Sequence, residues 1–549
     1  MFKHHPRGLA VLFFTEMWER FGFYLMLGIF TLYMIDQTSG KGFSDIKAAD
    51  IYGTYLALVY LTPFMGGLLA DRILGYRLAI SIGGALMGVG YIGLAFPGDK
   101  LFYVSLLLII IGNGFFKPNI STLVGKLYDN EKYRNYKDSG FNIFYMGINI
   151  GAFICNFVAA YLRIHYGWGY AFAAAGIGMF IGLFWFWGGQ HHVKSVDMIK
   201  SSQKSEFPIA QLVTTIFLPA IIGGIIGWFI PEYLFGSPLL KTNSNDAFIF
   251  AAIPIIIFYI SLVIKAPQKE KEQLTALLAV FSVVILFWAI FHQNGSALTI
   301  YAKRHTDLEI PKSYKIVCNS LGIVEEIYMP EHITAEKYTD YEFIVDSGYP
   351  SFVHPDLPRY FINLERSKWP KPGKSINIIS PEIFQSVNPF FVIIFTPLVV
   401  GIFALLKKRK KEPSTPAKIG IGMFITSLSA IIMIFAVMTS QNGLVKSSPL
   451  WLISSYAVIT LGELCLSPMG LSLVSKLSPP RTAGLMMGGW FVATAIGNKL
   501  SGSISGLWSS IDNKANYFLI NFFGALLGVL LMIALLKWLK SVMSKNAVR

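Results

Sequence analysis

The residues best placed to do chemistry are Glu16, Glu19, Arg20 and Tyr24, in Glu16-Met17-Trp18-Glu19-Arg20-Phe21-Gly22-Phe23-Tyr24, inside the first long apolar block. On a helix the spacing i, i+3, i+4 and i+8 puts these four on one face. Each ionisable group inside a membrane span costs about 2.5–3.5 kcal/mol even on the lenient insertion scale. A structural salt bridge needs one acid for Arg20, and this face has two. A surplus carboxylate beside a like charge has a raised affinity for protons, which a proton carrier requires. The alternative is a structural ion cluster. A second cation, Lys117, lies within Gly112-Asn113-Gly114-Phe115-Phe116-Lys117-Pro118-Asn119, and could balance the surplus negative charge or instead sit at a helix end in the interface. In the second half of the chain Glu463 is a lone acid in Gly462-Glu463-Leu464-Cys465-Leu466-Ser467-Pro468. Buried cations in one half and a buried acid in the other attract across a central cavity, and making or breaking that attraction can bias which side is open. A helix-to-helix hydrogen bond is the simpler alternative for Glu463.

The elements that must hold these groups are membrane helices. Hydrophobic residues make up 54% of the 549 positions and charged residues 14%, against about 25% charged in a soluble domain. The apolar residues fall in blocks of about 20, long enough to cross a hydrocarbon core of roughly 30 Å, where only helices satisfy their own backbone. Fifty glycines let such helices approach closely. Hydropathy gives about fourteen segments, at 8–35, 50–70, 78–97, 101–124, 140–162, 168–189, 210–230, 247–265, 273–301, 384–406, 417–439, 449–475, 482–508 and 515–540.

The net charge of +15 is carried largely by short loops after even-numbered segments, such as Arg72 and Arg77, Lys126 to Lys137, and the run Lys407-Lys408-Arg409-Lys410-Lys411. By the positive-inside rule those loops and both termini are expected in the cytoplasm, so the charge does not argue for nucleic-acid binding. Glu16, Glu19 and Arg20 interrupt what would be the apolar core of a cleavable signal. The three cysteines make no disulfide framework. The histidines lack metal-ligand spacing, and no Gly-x-x-x-x-Gly-Lys-Ser/Thr loop is present for ATP. A polar, proline-rich stretch at 302–383 is expected on the outer side as a solvated insertion, with weak strand signals at Tyr314-Lys-Ile-Val and Tyr341-Glu-Phe-Ile-Val.

Several of these stretches carry a resemblance. Glu16-x-x-Glu19-Arg20, Phe141-Asn-Ile-Phe-Tyr145-Met-Gly-Ile-Asn149-Ile-Gly151 and Gly462-Glu463-Leu-x-x-Ser467-Pro468 resemble the signatures of the proton-dependent oligopeptide transporters (POT/PTR). Gly67-Leu-Leu-Ala-Asp71-Arg72-Ile-Leu-Gly75-Tyr-Arg77 resembles the loop motif of the major facilitator superfamily, to which they belong. Tyr60-Leu-Thr-Pro63, Phe287-Trp288, Asn388-Pro389 and Gly488-Gly-Trp490-Phe491 match in order. The resemblance covers nearly all of the chain outside 302–383. It implies an all-α membrane protein of the major facilitator fold: a six-helix bundle at 1–190, a linker with two extra helices at 191–272, and a second bundle at 273–301 and 384–549.

By the same resemblance the chain imports di- and tripeptides with protons, through the inner membrane of a bacterium, as a multi-pass transporter and not an enzyme. The proton gradient then stands in place of a cofactor, and the partners are the peptide, the proton and the bilayer, with no nucleic acid. Glu16, Glu19, Arg20, Lys117 and His292 would couple protons. Tyr24, Tyr60, Lys117, Asn149, His292, Gln293, Asn388, Glu463 and Trp490 would line the peptide site. Lys117 suits a peptide carboxylate, Glu463 its amine, and the aromatics varied side chains. The sequence departs from the family at three positions. Leu27 replaces an arginine, His292 an acid after Phe-Trp-x-x-Phe, and Phe23 a tyrosine. The first two resemble the halves of an outer-gate ion pair, and losing both avoids an orphan buried charge. A symporter of another small solute or anion, or a receptor that does not transport, are the alternative readings.

Overall fold

The computed structural model describes residues 4–197, 208–332, 344–346, 349–351, 357–479 and 482–545. Fourteen long helices account for the fourteen apolar blocks. They are α1 Arg7–Ile35, α2 Asp45–Leu69, α3 Tyr76–Leu94, α4 Asp99–Leu127, α5 Lys137–Tyr166, α6 Trp168–Gly189, α7 Leu218–Phe235, α8 Asn243–Lys265, α9 Gln268–Phe291, α10 Val387–Lys408, α11 Thr415–Thr439, α12 Pro449–Leu477, α13 Ala483–Gly506 and α14 Lys514–Lys545. Twelve of the blocks are apolar enough to cross a membrane on length and composition alone. The two that fall short are α1, which carries Glu16, Glu19 and Arg20, and α13, which is rich in glycine, serine and threonine and carries Lys499. Both are helices turned inward, as intramembrane polar groups must be.

The two halves share one packing plan. In the first, α1 packs on α5 and α6, α3 on α4 and α6, and α2 on α4. In the second, α9 packs on α13 and α14, α11 on α12 and α14, and α10 on α12. Counted within each half these are the same pairs, and the halves meet through the matching pairs α2 with α13 and α5 with α10. The first seam is very close: a Cβ added to Gly53 would lie 2.7 Å from Gly502 Cα, and one on Gly502 would lie 2.6 Å from the Ala49 carbonyl. Only glycine permits that approach.

The α7–α8 pair leans on this seam. Ser244 Oγ donates to Asp50 (2.6 Å), and Lys499 Nζ reaches Asp50 (2.6 Å), Thr54 (2.7 Å) and Ser244 (2.8 Å), joining α8, α2 and α13. An even number of crossings returns both ends of the chain to one face, here the terminal face. His5 Nδ1 shares a 2.7 Å hydrogen bond with Tyr128 OH after α4, and Lys545 pairs with Glu272 near the α8–α9 turn (3.1 Å).

The 302–383 stretch was expected as a solvated insertion, and parts of its described residues are packed into the protein. Its strands β1 (Val324–Tyr328) and β4 (Ser375–Ile379) pair antiparallel, and Leu308, Tyr360, Phe361, Leu364 and Ile378 are buried in the main core. Arg163 at the end of α5 reaches Glu382 (2.6 Å), Glu325 (2.7 Å) and Ser380 (2.6 Å), and Glu382 is fully buried. The segment is therefore bolted to the face opposite the termini. Of the two strand signals, the Lys-Ile-Val that follows Tyr314 is helical, within Lys315–Ser320. The other contributes β2 (Ile344–Asp346), paired with β3 (Tyr349–Ser351), while 341–343 lie outside the described residues. The ninth block is interrupted: α9 ends at Phe291, a tight turn spans His292–Gly295, and helix resumes at Ala297–His305.

Candidate functional site

The α1 face sits where the spacing puts it, with Glu16 and Glu19 fully buried and Arg20 nearly so. Each acid has its own cation. Arg20 donates through Nε and Nη2 to both oxygens of Glu19, a bidentate fork of the strong kind. Lys117 Nζ, reaching across from α4, donates to Glu16 Oε1 at 2.5 Å, and Arg20 Nε lies 3.6 Å from the same oxygen. The four charges balance, so the carboxylate that looked surplus on α1 alone is answered by α4. The balance is uneven in geometry: Glu16 Oε2 is buried with no hydrogen-bond partner. Arg20 also lies 4.5 Å from the Phe23 ring centroid and 5.7 Å from that of Tyr24, both cation–π distances.

Two cavities meet at this cluster. The larger, of about 560 Å³, is lined by Arg20, Tyr60, Asn113 and Lys117, and runs past Ser121 and Lys126 to Asp129 in the α4–α5 loop and Lys137 at the start of α5, so it reaches the terminal face. The smaller, of about 90 Å³, is lined by Tyr24, Leu27, Tyr60, Asn156, His292, Gln385, Asn388 and Glu463. Phe23 and Tyr60 line both and form the partition. Lys117 and Glu463 therefore face different chambers and make no direct ion pair here. Glu463 instead accepts from Asn388 Nδ2 at 3.2 Å, and the same amide donates to Thr460 (2.8 Å).

Away from the terminal face the smaller chamber is closed. Thr31 donates to the Gly295 carbonyl (2.6 Å), Asn156 to Ser386 (3.1 Å), and Gln385 to Asn294 O (2.8 Å) and Thr299 (2.7 Å). Farther out, Arg304 holds Asp45, its shorter contact 2.5 Å. His292 and Leu27, the two departures from the family pattern, line the same small chamber. His292 is stacked on Trp288 (centroids 4.8 Å apart, planes at 22°) and lies 5.7 Å from Tyr60, with its Nδ1 buried and unpartnered.

Three expected site residues are placed differently. Trp490 is buried in the second core, its ring against Gly470 and 6.4 Å from Phe281, while Met487 and Phe491 on the same helix line the larger cavity. Gln293 is a tie between helices: its Nε2 donates to Ala289 O and Asn521 Oδ1 (both 2.9 Å), and its Oε1 accepts from Tyr517 and Asn521. Asn149 donates to the Tyr145 carbonyl one turn back, at 2.9 Å, and lines neither of the two cavities. Asn113, Asn156, Asn294 and Gln385 also line these chambers, and no motif marks them. An amide inside an apolar block is the available signal, because a buried amide there must find a partner or line a cavity.

The sequence model of the POT family matches residues 77–329 and 373–521. The uncharacterized transporter YclF of Bacillus subtilis is 33% identical, over 97% of this chain and 94% of that one. A di-/tripeptide transporter of Lactococcus lactis subsp. lactis is 29% identical, over 97% and 95%. Among solved structures, a POT family transporter in complex with a thioalcohol-conjugated peptide superposes with a TM-score of 0.76, at 27% identity and 98% coverage of both chains.

Proposed function

The chain belongs to the POT family, and from that premise we propose that it imports di- and tripeptides together with protons across a bacterial inner membrane. The observation that carries this reading is the Lys117–Glu16 contact. Lys117 lines the larger cavity, yet its ammonium rests on a fully buried carboxylate. A peptide carboxylate entering that cavity competes with Glu16 for the same ammonium. A proton on Glu16 removes the competitor, so peptide binding at Lys117 and proton binding at Glu16 favour each other, as linkage requires. Glu463, across the Tyr60 partition, is the acid available to the peptide amine, and Asn388 orients it.

The basic loops lie on the terminal face, so that face is assigned to the cytoplasm and the capped face to the outside. The conformation then has its chamber open to the cytoplasm, the state from which peptide is released. No cofactor enters the scheme; the proton gradient supplies the driving force.

The test is uptake of labelled dialanine by the purified protein in proteoliposomes, with unlabelled competitors. Dipeptides and tripeptides should compete, while free alanine and tetra-alanine should not. Competition by free amino acids or simple anions equal to that by dipeptides would contradict the substrate class.

A further inference from the structure

A second polar cavity lies on the terminal face, away from the transport chamber. It has a volume of about 830 Å³ and sits among the ends of α10, α11, α12 and α14. Four lysines line it, Lys407 from the last turn of α10, Lys418 from the first of α11, Lys476 from the last of α12, and Lys540 from α14. Glu412 is the one acid among its lining residues, and it is engaged by Lys418 at 2.6 Å. The wall therefore carries three more positive than negative charges. Ser414, the residue preceding α11, also lines the cavity, and its hydroxyl is buried without a hydrogen-bond partner. A hydroxyl at the positive end of a 25-residue helix, in a cavity that four lysines also line, is suited to an oxyanion.

From these observations we infer that this cavity binds the phosphate headgroup of an acidic phospholipid. The shape of the surroundings separates a lipid from free phosphate. α10 leads to the cavity rim through Lys407, and its Leu398, Ile402 and Leu405, at helical spacing, are all exposed. That row gives acyl chains an apolar track ending at the lysines. Basic pockets between membrane helices at the boundary hold acidic headgroups in this manner. The occupant joins α10, which carries Asn388, to α12, which carries Glu463, and so braces two helices of the second half.

The experiment uses the full-length protein in a neutral detergent. Lysines 407, 476 and 540 are at exposed positions, so replacing all three by glutamine leaves the core and the Lys418–Glu412 pair intact. Phosphatidylglycerol, added as mixed micelles, should raise the melting temperature of the parent protein, whereas phosphatidylcholine should not. The K407Q/K476Q/K540Q protein should bind phosphatidylglycerol at least about tenfold more weakly, since each basic group near an acidic surface contributes comparably. The corresponding arginine variant should retain the response, which separates lost charge from lost structure. Native mass spectrometry should show the retained acidic lipid disappearing in the glutamine variant. An undiminished lipid response in that variant would overturn the site. Inorganic phosphate stabilising the protein as well as the lipid does would overturn the lipid assignment.

Discussion

Glu16 and Glu19 are both buried, but they are held differently, and the difference predicts different mutant behaviour. Glu19 is locked by both arms of its bond to Arg20, whereas Glu16 shares one oxygen between Lys117 and Arg20 and leaves the other unpartnered. Glu16→Gln keeps the size, removes the exchangeable proton and releases Lys117. Proteoliposomes carrying it should lose uphill accumulation of peptide while still exchanging labelled for unlabelled peptide. Glu19→Gln should impair both, because breaking a buried pair from one side costs about 3–5 kcal/mol. Uphill accumulation that survives in Glu16→Gln would remove Glu16 from the coupling scheme. His292 and Leu27 make a second case. They share the small chamber, where a fixed carboxylate at position 292 would have no cation at position 27. His292→Asp should therefore depress uptake, and adding Leu27→Arg should recover part of it. His292→Gln, which keeps a neutral polar side chain beside Trp288 and Tyr60, should keep transport. No rescue of His292→Asp by Leu27→Arg would reduce His292 to packing.

Between the helices, the α2–α13 seam is sealed by glycine against backbone. Gly502→Leu cannot close there, so the outer side should stay open and transport should fail. In a background without Cys155, Cys318 and Cys465, a cysteine at Leu27 should then react with an impermeant maleimide from outside faster than in the unaltered seam. Equal labelling rates would mean that the seam is not the outer closure. The loop before α12 offers a pH test. Burial lowers the Lys446 ammonium from 10.5 to about 7, so between those values the unfolded chain binds the proton and the folded one does not. Stability therefore rises with pH across that window, and the cost of the buried charge is complete below about pH 7. Lys446→Met should raise the melting temperature most at pH 6, with the advantage shrinking toward pH 10. The Arg304 carbonyl that Lys446 contacts keeps a partner in Asn363. A constant difference across pH would contradict the argument. At this scale the sequence was a good guide where periodicity and apolarity coincide: every long helix lies under one of the fourteen blocks. It was a poor guide in 302–383, because β1 and β4 are about fifty residues apart and their pairing leaves no local signal. Nor does it say which way Trp490 and Gln293 face. Their residue types suit a peptide site, but the helix face each presents to its neighbours depends on packing that one sequence does not state.

The whole molecule combines two six-helix halves of one packing plan, a chamber open to the terminal face, and an opposite side held shut by short polar contacts and the described parts of 302–383. Its motifs are spread from Glu16 to Phe491, which is why the family was legible from residues alone. The matching of the halves was not, since it survives in helix pairing and not in side chains. Function at this scale requires that peptide and proton move together, and that can be read directly. Proteoliposomes containing a trapped pH dye, with potassium and valinomycin setting an inside-negative potential, should acidify inside when dialanine is added outside. The Glu16→Gln protein should give no such signal. Dialanine entering under the same potential without internal acidification would contradict proton-coupled peptide import.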